Sequence, residues 1–192
     1  MPERETLRNV VGRPAPGSSK LIVVRGNSGS GKSAIAAGLR EAYGRGIAIV
    51  GQDNIRRVVL RDRDVVGAPN IGLIAMTARY ALAHGFHVVI EGILHANRYA
   101  QMLMDLYAEH AGDSFFYYLD VPFAETLKRH STKPNANDFG EAEMAAWFRP
   151  QDLLPGGVET IITADSSLEE SIDQIAEASR LLTDPVAEHA DL

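Results

Sequence analysis

The chain has 192 residues, 45% hydrophobic and 23% charged, the composition of one globular domain large enough to enclose a sheet covered on both faces. It has no cysteine, which excludes disulfides and thiolate metal sites, and no apolar run of bilayer-spanning length. Its formal net charge of −6 supplies no general basic field for a phosphate backbone, so neither nucleic acid nor a membrane is an expected partner.

Residues 1–19 are expected to form a flexible N-terminal arm, with GRPAPGSS (12–19) as a linker. This stretch lacks the apolar centre of a secretion signal, which implies a cytoplasmic protein. A single domain is expected over 20–183, followed by a frayed C-terminal tail over 184–192. KLIVVRG (20–26) predicts a short buried strand. A helix over about 32–43 places Ile35, Ala36, Leu39, Ala42 and Tyr43 on one face, and Gly44 suits its end. GIAIVG (46–51) predicts a second strand, followed by a short helix over 54–60. PNIGLIAMTARYALAHG predicts a helix from Pro69 to a stop at Gly85, with Ile71, Ile74, Ala75, Ala78 and Leu82 at helical spacing. FHVVIEG (86–92) predicts a third strand and 97–110 a helix. SFFYYLDVP (114–122) predicts a fourth strand, and Pro122 suits the first turn of the helix after it.

The alternation breaks over 130–157, where a loop and a short helix are expected. Asp138 and Glu141 are spaced as a capping box ahead of Met144, Trp147 and Phe148, and Pro150 ends that helix. VETIITA (158–164) predicts a fifth strand. In the last helix Ser166 and Glu169 form a second capping box, and Leu168, Ile172, Ile175 and Leu182 the buried stripe. Strands alternating with helices predict an α/β fold, a doubly wound parallel sheet with right-handed crossovers.

GNSGSGKS, residues 26–33, fits G-x-x-x-x-G-K-[ST] at every fixed position, between a strand and a helix. Backbone N–H groups of Gly26, Asn27, Ser28, Gly29, Ser30 and Gly31 can turn inward around phosphate oxygens, and the helix N-terminus adds its positive end. Lys32 has the reach for the β- and γ-phosphates, and the Ser33 hydroxyl is placed for Mg²⁺. The expected ligand is a nucleoside triphosphate, ATP or GTP, with Mg²⁺.

Ligands of such sheets bind beyond the carboxyl ends of the strands. GQDNIRR follows the second strand and offers Asp53, Arg56 and Arg57; EGILHANR follows the third and offers Glu91 and His95. Phosphoryl transfer to a hydroxyl needs a base for the proton and oxygen ligands for the metal. Asp53 is the candidate base, its alternative role being the N-cap of the 54–60 helix. Glu91 is a candidate to bind the metal with Ser33 or to orient the acceptor, or else to pair with an arginine at the strand end. Arg56 and His95 are candidate acceptor contacts. Asp120 ends the fourth strand in an Asp-x-Pro turn and is assigned local work. The 130–157 segment is a candidate lid, flanked by Arg129 and Arg149 with Lys133 inside, which would exclude water and bring a cation to the transferring group. Met144, Trp147 and Phe148 either cover the acceptor or simply pack.

Together GNSGSGKS, GQDNIRR, VVIEGIL and YYLDVPFAETLKRH resemble the small P-loop kinases, most of all the chloramphenicol phosphotransferase and zeta-toxin group, over roughly residues 20–180. The resemblance implies a strand order of 2-3-1-4-5. It implies Asp53 as general base, Glu91 as the acidic residue after the third strand, and lid arginines (Arg129, Arg149) on the phosphates. The sugar-binding elements of zeta toxins are not found in the chain. The implied activity is ATP-dependent phosphorylation of a small-molecule hydroxyl, on an antibiotic or nucleoside-like acceptor, with a sugar, sugar nucleotide or nucleotide as the alternative. A nucleotide-switched binding protein without acceptor chemistry is the alternative of another class. A polynucleotide 5′-hydroxyl kinase fits the acidic chain least.

Overall fold

A computed structural model describes residues 17–132 and 139–183. The apolar run at 21–24 becomes the middle of β1 (Lys20–Gly26), the central strand of a five-stranded parallel sheet. β1 lies between β3 (His87–Gly92) and β4 (Asp113–Asp120), with β2 (Ile47–Gly51) and β5 (Glu159–Thr163) at the edges, giving the order β2-β3-β1-β4-β5. Successive side chains of a strand point to opposite faces, so β1 feeds two cores. Leu21 and Val23 pack with Ile74 and Ala78 of α2 (Pro69–Ala83) and Leu103 and Leu106 of α3 (Ala96–Glu109). Ile22 and Val24 pack on the other face with Ile35 and Leu39 of α1 (Lys32–Tyr43) and Ile175 of α6 (Leu168–Ala178). Each such aliphatic side chain contributes about 1.5–3 kcal/mol by leaving water. The sheet is thereby clamped between helices, and its carboxyl edge is left to carry the loops.

Two shorter helices stand over that edge. α4 (Phe123–Ser131) follows β4 with Pro122 as its N-cap residue, and α5 (Glu141–Trp147) precedes the return to β5. The connection after β2 is a π-helical segment, Asn54–Leu60, closed by Arg61 in the left-handed region at φ 52.

Local capping departs from the sequence expectation in two places. Asp138 lies outside the described residues; α5 starts after Gly140, whose N–H donates to Glu143 Oε2 at 3.0 Å. In α6 the reciprocal pair is Ser167 and Glu170, one residue later than expected. Ser166 is spent on the preceding turn, its N–H donating to Thr163 O. Leu168, expected in the buried stripe, is therefore the exposed first residue of the helix. At the far end Arg180 turns left-handed at φ 51, and the chain seats Leu181 in the core and leaves Leu182 half-buried.

Candidate active site

The loop at 26–33 leaves β1 and wraps the N-terminus of α1. Gly29 has φ 82, and a Cβ there would stand 2.5 Å from Thr126 O, so the turn presses on the α4 backbone where only glycine fits. Lys32 is buried and folds back across the loop, donating from Nζ to Asn27 O at 2.7 Å and Ser30 Oγ at 3.3 Å. Its ammonium thus lies among the backbone groups that would surround a phosphate, backed by the partial positive charge of the α1 N-terminus.

Ser33, the next residue, faces β3. Its Oγ donates to Glu91 Oε2 at 2.9 Å. The strand register makes this contact: Glu91 is opposite Val24 of β1 on one side and Gly51 of β2 on the other. A Cβ on Gly51 would lie 2.7 Å from Glu91 Oε1, so the absent side chain is what lets the carboxylate lie across β2. A hydroxyl and a carboxylate are hard oxygen donors, and two of them suit Mg²⁺, which keeps several waters and leans on phosphate oxygens. Among the described residues no cluster of three or more His, Asp or Glu offers an all-protein metal cage.

Asp53 begins the π-helical segment but makes no side-chain capping bond. Its carboxylate accepts from Arg56 Nη2 at 3.0 Å and lies 3.3 Å from Arg57 Nε, with most of its surface open to solvent. Asp53, Arg56, Arg57, His95, Arg149 and Ser28 of the loop all line one cleft of about 300 Å³, with Trp147 and Phe139. Of the three large apolar residues in and just after α5, Trp147 reaches this cleft, Met144 is buried, and Phe148 packs edge-on against Phe123 at 5.2 Å. His95 is buried at the start of α3, with Nδ1 3.5 Å from Asp152 Oδ2. Burial opposes the charge on Asp152, but hydrogen bonds from His95 and the Ala96 N–H, with the Arg25 guanidinium, hold its carboxyl below the usual aspartate range.

The two arginines flanking the candidate lid lie apart. Arg149 faces the cleft just described. Arg129 lies at the opposite side of the loop, donating from Nη1 to Ser30 O at 3.2 Å and from Nη2 to Ala164 O at 3.5 Å. Its Nε donates to Glu125 at 2.9 Å, which holds that half-buried carboxyl below its ordinary value. Arg129, Gly31, Ile35, Val121, Ile162 and Ser167 line a second cavity of about 450 Å³, between α1, β5 and the start of α6. The loop therefore stands between two cavities, one mainly apolar and one rich in charge. Lys133 lies outside the described residues.

Three groups important to this geometry do not stand out in the sequence. Arg25 ends an apolar strand yet is fully buried; it donates to Leu94 O at 2.8 and 3.0 Å, to Asp152 Oδ2 at 3.1 Å and to Glu159 Oε1 at 2.7 Å. A charged residue inside an otherwise apolar strand was its only signal. Asn27 reaches out of the phosphate loop: its Oδ1 accepts from Arg149 N at 2.9 Å and its Nδ2 donates to Arg149 O at 2.8 Å. Behind the cleft, Tyr99 Oη donates to Asp64 Oδ1 and accepts from Gln52 Nε2 at 2.8 Å and Asn70 Nδ2 at 2.7 Å. Burial, with Asp64 beside it, pushes the Tyr99 phenol well above its usual range, so it stays a neutral donor.

No protein-family model matches the chain, and a comparison with curated proteins finds no match. Solved structures do. The chain is similar to a Mycobacterium tuberculosis APS kinase in complex with AMPPNP and APS, with TM-score 0.62 and 19% identity over 83% of this chain and 96% of that one. A sugar kinase from Janibacter sp. matches with TM-score 0.61 and 20% identity over 90% and 99% of the two chains. A tunicamycin resistance protein from Deinococcus radiodurans matches with TM-score 0.59 and 16% identity over 88% and 99%. At these identities the likeness defines the fold, that of the P-loop kinases, with the sheet order 2-3-1-4-5.

Proposed function

We propose that the chain is an ATP- and Mg²⁺-dependent kinase that transfers the γ-phosphoryl group to a hydroxyl of a small molecule. The observation that carries this reading is the placement of the phosphate loop between two cavities, with Ser33 and Glu91 in contact beside it. The apolar cavity beside Arg129 suits the base and ribose of ATP or GTP, and the charged cleft beside Asp53 suits the acceptor. A nucleotide-switched binding protein has no need of the second cleft.

In this reading Lys32 and the loop N–H groups hold the β- and γ-phosphates, and Ser33 and Glu91 hold the metal, which would neutralise phosphate charge when bound. Asp53 takes the proton of the attacking hydroxyl; its two arginine partners orient the carboxylate until the acceptor arrives. His95 and Arg56 contact the acceptor. Arg129 steadies the nucleotide side of the loop, and Arg149, clasped through its backbone by Asn27, brings positive charge to the acceptor side. The 130–157 segment acts as the lid that keeps water from competing for the phosphoryl group.

The sequence resemblance favours an antibiotic or nucleoside-like acceptor. The arginines of the cleft favour the second reading, a sugar, sugar nucleotide or nucleotide bearing charge. The tunicamycin resistance, APS kinase and sugar kinase likenesses are compatible with either.

Lys32→Ala tests the reading at its base. ADP release stimulated by an acceptor mixture should fall to background, because the phosphates lose the one cation that lies inside the loop. Near-normal acceptor-dependent turnover in this variant would remove the loop from the chemistry.

A further inference from the structure

We infer that the cleft beside Asp53 is built for an acceptor carrying an oxyanion (a phosphate, sulfate or carboxylate) in addition to the hydroxyl that is phosphorylated; this rests on the kinase reading above. Five guanidinium groups line the cleft, from Arg56, Arg57, Arg63, Arg98 and Arg149, against the two carboxylates of Asp53 and Asp64. Such an excess of positive charge stands out in a chain whose formal net charge is −6. Asp53 pairs with Arg56 and Arg57, and Asp64 pairs with Arg98 at 2.8 Å. The other two are not neutralised. Arg149 Nη1 donates to the uncharged carbonyls of Ala146 and Phe148, and the Arg63 side chain has no hydrogen-bond or ion-pair partner among the described residues.

The transferring phosphoryl group does not account for this excess. Lys32 and Arg129 already serve the loop from its interior and its far side. Arg63 comes from the connection between the π-helical segment and α2, and Arg98 from the first turn of α3. Arg98 is also fixed in place, its Nη1 donating to Asp64 O at 2.6 Å and to Asp64 Oδ2 at 2.8 Å, and Asp64 is itself held by Tyr99 and Gln52. Arg63 and Arg149 are themselves exposed at the cleft, and an oxyanion accepting from guanidinium groups in pairs makes charge-assisted hydrogen bonds stronger than neutral ones. A neutral acceptor forms no ion pair with these groups.

Sulfate, phosphate and acetate are the probes, titrated by calorimetry into the full chain saturated with AMPPNP and Mg²⁺ so that the loop is filled. At least one anion should bind, and Arg63→Gln should weaken it about tenfold, as expected for a lost charged hydrogen bond. Arg79→Gln, at the ion pair with Glu109 outside the cleft, should leave the affinity unchanged. The tightest probe identifies the group as tetrahedral or planar. No anion binding once the loop is filled, or equal affinity in wild type and Arg63→Gln, would overturn the inference. Should AMPPNP itself fail to bind, the kinase reading falls, and the anion site is then decided in the Lys32→Ala chain without nucleotide. There an Arg63-dependent affinity supports the site, and its absence overturns it.

Discussion

At the scale of single residues, a motif that constrains type and spacing together carries the proposed chemistry. Gly26 to Ser33 are the proposed phosphate site, since glycine, lysine and serine each have one job in that pattern. Asp53 had two readings in the sequence, base or helix cap. In the structure its carboxylate caps nothing and turns to Arg56 and Arg57 inside the cleft. Asp53→Asn separates container from catalyst, since Asn keeps the shape and cannot accept the hydroxyl proton. The kcat for transfer should fall by about 10² to 10⁴ with ATP affinity and melting temperature nearly unchanged. A loose transition state delays proton removal and moves the effect toward the lower bound. Wild-type kcat in this variant would transfer the search for the base to Glu91.

At the scale of elements, strand and helix placement followed from periodicity, because β1 is buried on both faces and the helices each have one apolar stripe. The capping frame of α6 was not legible: Ser166–Glu169 and Ser167–Glu170 fit the same pattern, and only the turn consuming Ser166 decides between them. Nor was the strap after α5, whose order comes from contacts between residues far apart in sequence. Asp152 is the anchor of that strap, accepting from Ala96 N at 2.8 Å and from buried Arg25 at 3.1 Å. Asp152→Asn should cost about 1–3 kcal/mol near neutral pH, measured by urea unfolding. The folded carboxyl titrates below its ordinary value, so its stabilisation is fully present above the unfolded pKa of about 3.9 and is lost as pH falls through the lower folded value. The gap between wild type and variant should therefore close as pH falls below about 4. A gap that did not close on acidification would mean that the carboxyl is not held ionised by these partners.

At the scale of the whole molecule, the loop at 26–33 ties the two faces of the domain together. It presses on α4 through Gly29, opens α1 at Lys32, holds the strap through Asn27 and meets β3 through Ser33 and Glu91. A ligand that binds only this assembled arrangement must stabilise the entire fold by mass action. AMPPNP with Mg²⁺ at about one hundred times its Kd should add about 2.7 kcal/mol. For a domain of this size that is a rise of roughly 5–10 °C in melting temperature. The increment divides into a part that survives EDTA, from Lys32 and the loop N–H groups, and a part that needs the metal. Ser33→Ala and Glu91→Gln each remove one oxygen donor of the contacting pair, so each should lose most of the Mg²⁺-dependent rise and keep the rise seen in EDTA. Lys32→Ala should lose both. If Ser33→Ala and Glu91→Gln keep the full Mg²⁺ increment, their 2.9 Å contact is only a brace between α1 and β3, and the metal ligands lie elsewhere in the chain.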